Sequence, residues 1–262
     1  MSFRTLPAAL ATLLLGAAIG LTACEDDDQP STVTTGKINF EFENVVGSQA
    51  LVIGDAYSTL AGEQITVSKF NYILSNFQFT KTDGTVWAEP ESYHLVKQSD
   101  TNSRKFAIEG VPFDTYTKVT FTIGVDSARN MAGAQTGALA PNNDMYWGWV
   151  SGYIFLKLEG TSPQSTSNGV YSYHVGGFRK PYVSMRTVSP ALPTGVASLQ
   201  VTASQSPELH LKADVQRVFA GPHPVSLRQM SGTGHGADSS GVKLAINYAA
   251  GMFRIDHVHN GD

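Results

Sequence analysis

The sequence contains a single cysteine, Cys24, among its 262 residues. An intramolecular disulfide is therefore excluded, and a chain of this length has to be held together by packing alone. Charged side chains make up only 15% of the residues, the formal net charge is −4, and no basic cluster occurs. These features argue against nucleic acid as a partner.

Motifs of hydrolytic or nucleophilic catalysis are also missing. The sequence has no Gly-x-Ser-x-Gly, no His-Glu-x-x-His and no Cys-x-x-Cys. A glycine-rich string at residues 232–236, Gly-Thr-Gly-His-Gly, does not lead from a strand into a helix, so it indicates a flexible loop and not a phosphate site. The sequence therefore favours a protein without catalytic turnover.

The first part of the chain indicates export and anchoring. Arg4 is the only charged side chain before Glu25, and residues 8–21 are a short apolar run, which is typical of a secretory signal at residues 1–23. The small residues that precede Cys24 resemble a bacterial lipobox, so we expect Cys24 to be lipidated. Residues 24–36 would form an acidic, Ser/Thr-rich tether, and the protein would be an outer-membrane lipoprotein facing the periplasm or the cell surface.

From residue 37 to residue 262 the apolar residues recur mainly with period two. Ile38, Phe40 and Phe42 alternate with polar residues, and the same alternation occurs at residues 119–125 and 209–215. Further apolar runs lie between clusters of Gly, Pro, Ser and Asn. Evidence for helix is thin: residues 127–134 could form one helical turn, and residues 242–252 are ambiguous. We therefore expect a single domain with the fold of an antiparallel β-sandwich.

An unusual set of side chains occurs at residues 144–149, Asp-Met-Tyr-Trp-Gly-Trp. If this segment is extended, Met145, Trp147 and Trp149 lie on one face. Together with His174, which follows later, they could hold a soft metal ion. The same residues could instead fill a core, or present exposed indoles that stack on sugar rings or bind a protein partner.

Several histidines are candidate metal ligands. His257 and His259 are two residues apart, so in a strand their imidazoles lie within roughly 7 Å of each other and could chelate one ion; a polar chain end is the alternative. His174 and His94 lie in strand-like segments, where a hydrogen-bonded structural role competes with metal binding. The remaining histidines are expected in solvated or loop positions: His210, His223 and His235. His223 or His235 could still supply a third ligand, because ligands converge in space and not in sequence.

A series of blocks resembles the MbnP-like copper-binding protein family. In sequence order they are residues 121–126 (Phe-Thr-Ile-Gly-Val-Asp), 129–130 (Arg-Asn), 137–139 (Gly-Ala-Leu), 145–149 (Met-Tyr-Trp-Gly-Trp), 152–153 (Gly-Tyr), 157–160 (Lys-Leu-Glu-Gly) and 173–177 (Tyr-His-Val-Gly-Gly). The resemblance implies a periplasmic or surface β-sandwich that binds copper for acquisition or buffering.

The resemblance also implies how the copper site is made. A di-haem partner of the cytochrome c peroxidase type would oxidise Trp147 or Trp149 to kynurenine, whose aromatic amine can coordinate copper. His174 is the ligand that the family motif supports. The chain departs from the family's four-cysteine branch, because it lacks those disulfides and has Met131 where that branch has a histidine. The full set of expected ligands is therefore His174, His257, His259, His94 and Met145.

Overall fold

The computed structural model describes residues 34–133 and 135–261. The predicted signal peptide, Cys24 and most of the predicted tether lie outside the described residues. Within the described part of the chain, no helix combines the length and the apolar character needed to cross a membrane.

The described residues form seventeen β-strands and three α-helices. The strands are β1 (Thr35–Val46), β2 (Gln49–Ala50), β3 (Ala56–Ser58), β4 (Gln64–Lys81), β5 (Val86–Ala88), β6 (Tyr93–Lys97), β7 (Lys105–Pro112), β8 (Asp114–Ile123), β9 (Tyr146–Gly148), β10 (Gly152–Thr161), β11 (Val170–Gly176), β12 (Phe178–Arg179), β13 (Tyr182–Val183), β14 (Arg186–Val188), β15 (Leu199–Val201), β16 (Glu208–Asp214) and β17 (Phe253–His259). The helices are α1 (Ser127–Met131), α2 (Gln216–Phe219) and α3 (Ser239–Ala249), and short 3-10 helices occupy Thr101–Arg104, Gly137–Leu139 and Pro141–Asn143.

Two sheets contain nearly all of these strands. The small sheet has the order β17-β16-β1-β2, and β7 also pairs with β1. The large sheet has the order β11-β10-β4-β8-β14; β3, β5 and β6 also pair with β4, β9 pairs with β10, and β15 pairs with β8. Strands β12 and β13 form a separate hairpin. The predicted all-β fold is confirmed.

Aromatic side chains join the inner faces of the two sheets. Phe40 from β1 in the small sheet contacts Phe77 from β4 in the large sheet, with ring centroids 5.1 Å apart. Phe253 from β17 lies 5.2 Å from Phe121 of β8 and 5.4 Å from Tyr72 of β4. Such edge-on contacts add to the burial of apolar area, which is the main source of stability for a domain without disulfides.

One strand pair departs from the antiparallel arrangement. Strands β1 and β16 run parallel, with Phe40 opposite Leu209 and Glu41 opposite His210. A parallel pair needs a long connection between its strands, and here the chain builds the whole large sheet between residues 47 and 207. The pairing places residues that are remote in sequence side by side on the outer face of the small sheet.

Residues 242–252, which were ambiguous in the sequence, are mostly helical. Helix α3 begins after Asp238, whose side chain accepts a 2.6 Å hydrogen bond from the backbone N–H of Gly241. Its buried residues include Leu244 and Tyr248, which form part of the main core. Because α3 ends at Ala249, the chain can return directly into β17, the edge strand of the small sheet.

Candidate metal centre

Strand β16 alternates between the core and the outer face of the small sheet. Leu209 and Leu211 are buried, and His210 between them lies on the outer face. In the antiparallel pairing with β17, His210 is directly opposite His257, and Glu208 is opposite His259. Directly opposite residues have neighbouring side chains when they share a face. The register therefore gathers three imidazoles on two adjacent strands.

A β-bulge at Asp256 turns the two terminal histidines outward. The register passes from Ile255, opposite Leu211, directly to His257, opposite His210, and leaves Asp256 as the extra residue. Ile255 is buried and Val258 packs against the same core, while His257 and His259 are exposed. A bulge re-aims side chains in this way. Without it, His257 and His259 would have the inward parity of Phe253 and Ile255.

The three rings are in mutual contact. The ring centroids of His210 and His257 are 4.2 Å apart and nearly parallel. His259 stands almost perpendicular to both rings, with centroid distances of 5.1 Å to each. One potential ligand atom from each histidine lies within 4.8 Å of the others. We call His210, His257 and His259 the histidine cluster.

Carboxylates surround the histidine cluster. Glu41 Oε2 lies 3.5 Å from His210 Nδ1, Glu208 Oε1 lies 3.6 Å from His210 Nε2, and Asp256 Oδ2 lies 3.2 Å from His257 Nδ1. Glu41, Glu208 and His210 also form a second group whose potential ligand atoms lie within 4.8 Å of one another. Oxygen donors are therefore available beside the nitrogen donors.

The electrostatic environment favours a neutral His210. Partial burial lowers the pKa of His210, and the nearby imidazoles of His257 and His259 lower it further, which outweighs the opposite effect of Glu41 and Glu208. Nε2 of His210 is buried and has no hydrogen-bond partner. A neutral imidazole with an unpartnered nitrogen is the form that binds a metal ion.

The geometry fits a metal ion after small side-chain rotations. Tetrahedral coordination at about 2.0–2.1 Å places ligand nitrogens about 3.4 Å apart, which is closer than the upper bound of 4.8 Å observed here. The parallel stack of His210 on His257 must also open, because two stacked rings cannot both direct an in-plane lone pair at one ion. His257 and His259 are exposed, so their side chains border solvent into which the rings can turn. The histidine cluster can therefore hold one ion.

The structure places His94 and His174 in hydrogen-bonded positions. His94 Nε2 lies 2.9 Å from both carboxylate oxygens of Glu89, and its ring stacks on Phe106 at 4.0 Å. His174 Nε2 lies 2.6 Å from Glu159 Oε1. Among the described residues, the groups of three potential His or carboxylate ligands include neither His94 nor His174. The structure thus brings His257 and His259 together, but it joins them with His210.

The prediction that Met145, Trp147 and Trp149 lie on one face is wrong for Trp149. Met145 is buried in a second core cluster, and Trp147 packs partly against the same cluster. Gly148, with a φ of 133°, follows, and Trp149 is 72% exposed. The ring of Trp147 lies 5.8 Å from that of His235, a histidine that the sequence analysis assigned to a loop.

His210 is the residue that sequence reasoning missed. Its alternation with buried leucines correctly indicated that the side chain points outward. We therefore expected His210 to be solvated and not to be a ligand. The relevant signal was the strand pairing, because only the register with β17 and β1 brings two imidazoles and two carboxylates to His210. A further hint was available in the polar residues of β1 and β16, where Glu41 and Glu208 alternate with apolar residues as His210 does.

Comparison with known proteins identifies the family. The MbnP family model matches residues 35–236, which is more than half of the chain. The chain belongs to the MbnP family. A solved structure, MbnP from Methylosinus trichosporium, is similar at 13% sequence identity, with 74% of this chain and 84% of that chain covered and a TM-score of 0.49. No curated protein matches the chain.

Membership of the MbnP family supports a copper-related role for this chain. The matched range includes Trp147, His174 and His210, and it ends before His257 and His259. The histidine cluster is therefore completed by the C-terminal strand beyond the family match. The family match supports the general role, and the geometry of β16 and β17 supports the histidine cluster.

Proposed function

We propose that this protein is a copper-binding lipoprotein that acquires or buffers copper outside the cytoplasm and has no catalytic turnover. The observation that supports the proposal most directly is the convergence of His210, His257 and His259, with ring centroids 4.2–5.1 Å apart. Imidazole is a preferred ligand of copper, and copper has the highest affinity among the divalent first-row metals for a given site. The predicted lipid anchor at Cys24 would hold this centre at a membrane surface.

Copper titration of the purified full-length chain tests the proposal. We expect one copper ion per chain at the histidine cluster, and we expect His210→Ala to weaken its binding about 100-fold or more, since loss of a direct ligand should exceed the 10–100-fold cost of losing an outer-shell partner. His174→Ala is the matched control, because His174 is also partly buried and paired with a glutamate. Copper binding that is lost in His174→Ala and retained in His210→Ala would refute this location.

Separately from the histidine cluster, we propose that a di-haem partner modifies a tryptophan of this chain, as the family resemblance implies. Trp147 is the better supported position, because its Nε1 is buried without a hydrogen-bond partner and its ring lies beside His235. Peptide mass analysis after coexpression with a di-haem protein of the cytochrome c peroxidase type tests this step. We expect a mass change confined to the peptide that contains Trp147, and an unmodified peptide would count against it.

A second candidate function follows from the exposure of Trp149. With 72% of its surface accessible, next to Val150 at 85%, Trp149 presents an apolar face to solvent. Such a face can stack on a sugar ring or contact a protein. Trp149→Ala would abolish binding to immobilised glycans or partner proteins if this function is correct, and it would leave copper binding at the histidine cluster unchanged.

A further inference from the structure

Three exposed turns of the chain lie next to one another. They are the turn between β9 and β10, the end of α1 with the loop that follows it, and the β12–β13 hairpin. Two glycines allow the close packing: a Cβ on Gly133 would lie 2.7 Å from the ring of Trp149, and a Cβ on Gly152 would lie 2.8 Å from the ring of Phe178. Ser127 in α1 also donates a 3.0 Å hydrogen bond to the carbonyl of Phe178. These contacts join the three turns into one surface.

Large apolar side chains on this surface are exposed. Trp149, Val150, Met131 and Tyr182 all project into solvent. A single exposed apolar residue is ordinary, but a neighbouring group of them marks a surface that contacts another body. Trp and Tyr in particular are enriched where a membrane meets water. We call the exposed residues of this surface the apolar–basic face: Met131, Trp149, Val150, Arg179, Lys180 and Tyr182.

The apolar–basic face is positively charged, although the chain has a formal net charge of −4. The hairpin segment 178–183, Phe-Arg-Lys-Pro-Tyr-Val, contains two cations and no acidic residue, and both Arg179 and Lys180 are exposed. The acidic residues that precede the adjoining helices α1 and α3, Asp126 and Asp238, accept hydrogen bonds from backbone N–H groups of those helices. The exposed charge of the hairpin therefore complements an anionic surface.

We propose that the apolar–basic face docks on the anionic lipid surface of the membrane, with Trp149 and Val150 between the headgroups and Arg179 and Lys180 against the phosphates. Segments that lie on membranes combine these two kinds of side chain. A sugar ring would use the indole but would not need the two cations, so lipid accounts for more of the face. The inference rests on the membrane location in the proposed function, and it adds which surface of the domain meets the lipid.

The test measures contact between Trp149 and lipid in the lipid-anchored chain. The chain is reconstituted into vesicles of phosphatidylcholine, with or without phosphatidylglycerol, in which part of the phosphatidylcholine carries brominated acyl chains that quench indole fluorescence at close range. The emission of Trp149 is the difference between the wild-type chain and Trp149→Phe, which retains the other two tryptophans. We expect strong quenching of Trp149 with phosphatidylglycerol, much weaker quenching without it, and a loss of quenching at high salt.

Removal of the two cations tests the basic part of the face. Arg179→Gln combined with Lys180→Gln should lower the ratio of docked to undocked chains about 30-fold, since each cation near an anionic surface strengthens binding about 5-fold. Lys37→Gln combined with Lys118→Gln is the matched control, because these lysines are also exposed but lie on β1 and β8. The control removes the same charge and should retain the quenching.

Flotation of the vesicles separates this inference from the lipid anchor. A chain that floats with the phosphatidylglycerol vesicles but shows no quenching of Trp149 would overturn the docking, leave the anchor in place, and favour a sugar or an acidic protein as the occupant of the face. Equal effects of the two double variants, or equal quenching with and without phosphatidylglycerol, would also overturn it, because Arg179 and Lys180 would then have no specific part. A chain that floats with neither kind of vesicle would remove both the docking and the proposed membrane location.

Discussion

At the scale of single residues, polar side chains are held by specific partners from other segments of the chain. Asn130 in α1 is buried, and its Nδ2 donates to the carbonyl of Val125 at 2.6 Å while its Oδ1 accepts from the backbone N–H of Tyr153 at 2.9 Å. One amide thereby joins α1 to the start of β10. Buried polar groups that lose such a partner destabilise the fold.

Asn130→Ala should therefore lower the free energy of unfolding by about 2–4 kcal/mol, because two buried backbone groups lose their hydrogen bonds. Urea titration measures this change. Asn142→Ala is the control, since Asn142 is exposed and should change stability by less than about 0.5 kcal/mol. Equal stability of Asn130→Ala and Asn142→Ala would contradict the role assigned to Asn130.

A second residue-scale prediction concerns Asp144. Burial by itself raises the pKa of Asp144, but hydrogen bonds from Lys157 and Lys69 outweigh it and lower the pKa to about 2. Lys157 is almost fully buried, and its Nζ lies 2.9 Å from Asp144 Oδ1. The ionised carboxylate therefore stabilises the folded state at pH values above its ordinary pKa of 3.8.

Asp144→Asn should destabilise the protein at pH 7, because the buried ammonium group of Lys157 loses its anionic partner. A folded-state pKa below the unfolded-state value means that this stabilisation is lost as the pH falls from 3.8 through about 2. Urea titrations of both proteins should thus converge toward pH 2. A difference in stability that stays constant over this range would refute the assignment. Asn tolerates the left-handed backbone at this position (φ 62°), so strain does not complicate the comparison.

At the scale of secondary-structure elements, the sequence predicted where strands lie better than which strands pair with each other. The period-two patterns correctly placed β1, β8 and β16, because each strand has one face in the core. The parallel pairing of β1 with β16 and the bulge in β17 were not predictable from local patterns, since both depend on contacts between distant segments. The bulge turns the histidines of β17 toward His210, and the parallel pairing brings Glu41 beside the histidine cluster.

Helix α3 was ambiguous in the sequence because its apolar residues also fit a short strand. Asp238 resolves the ambiguity in the structure, where Oδ1 accepts from Gly241 N and Oδ2 accepts from Gly234 N, both at 2.6 Å. Asp238→Ala should destabilise the protein by about 1 kcal/mol through loss of this cap. Asp238→Asn should retain most of the stability, because its amide oxygen can still accept the hydrogen bond from Gly241. Thermal unfolding of the two variants checks the difference, and equal melting temperatures would argue against the cap.

At the scale of the whole molecule, the proposed copper ion would join the C-terminal strand to the rest of the small sheet. His257 and His259 belong to the edge strand β17, and His210 belongs to the adjacent strand β16. A ligand that binds only the folded state adds about 2.7 kcal/mol of stability at 100 times its dissociation constant. Copper should therefore raise the melting temperature of the full-length chain, and a chelator should reverse the increase. His259→Ala should show a much smaller increase, and an undiminished one would show that copper stabilises the fold from another site.

The account as a whole depends on copper being held by imidazoles from β16 and β17. X-ray absorption at the copper edge of the loaded full-length chain counts these imidazoles directly. We predict three imidazole ligands in the wild-type protein, two in His259→Ala and three in His174→Ala. Loss of an imidazole in His174→Ala, together with an unchanged spectrum in His259→Ala, would contradict the account.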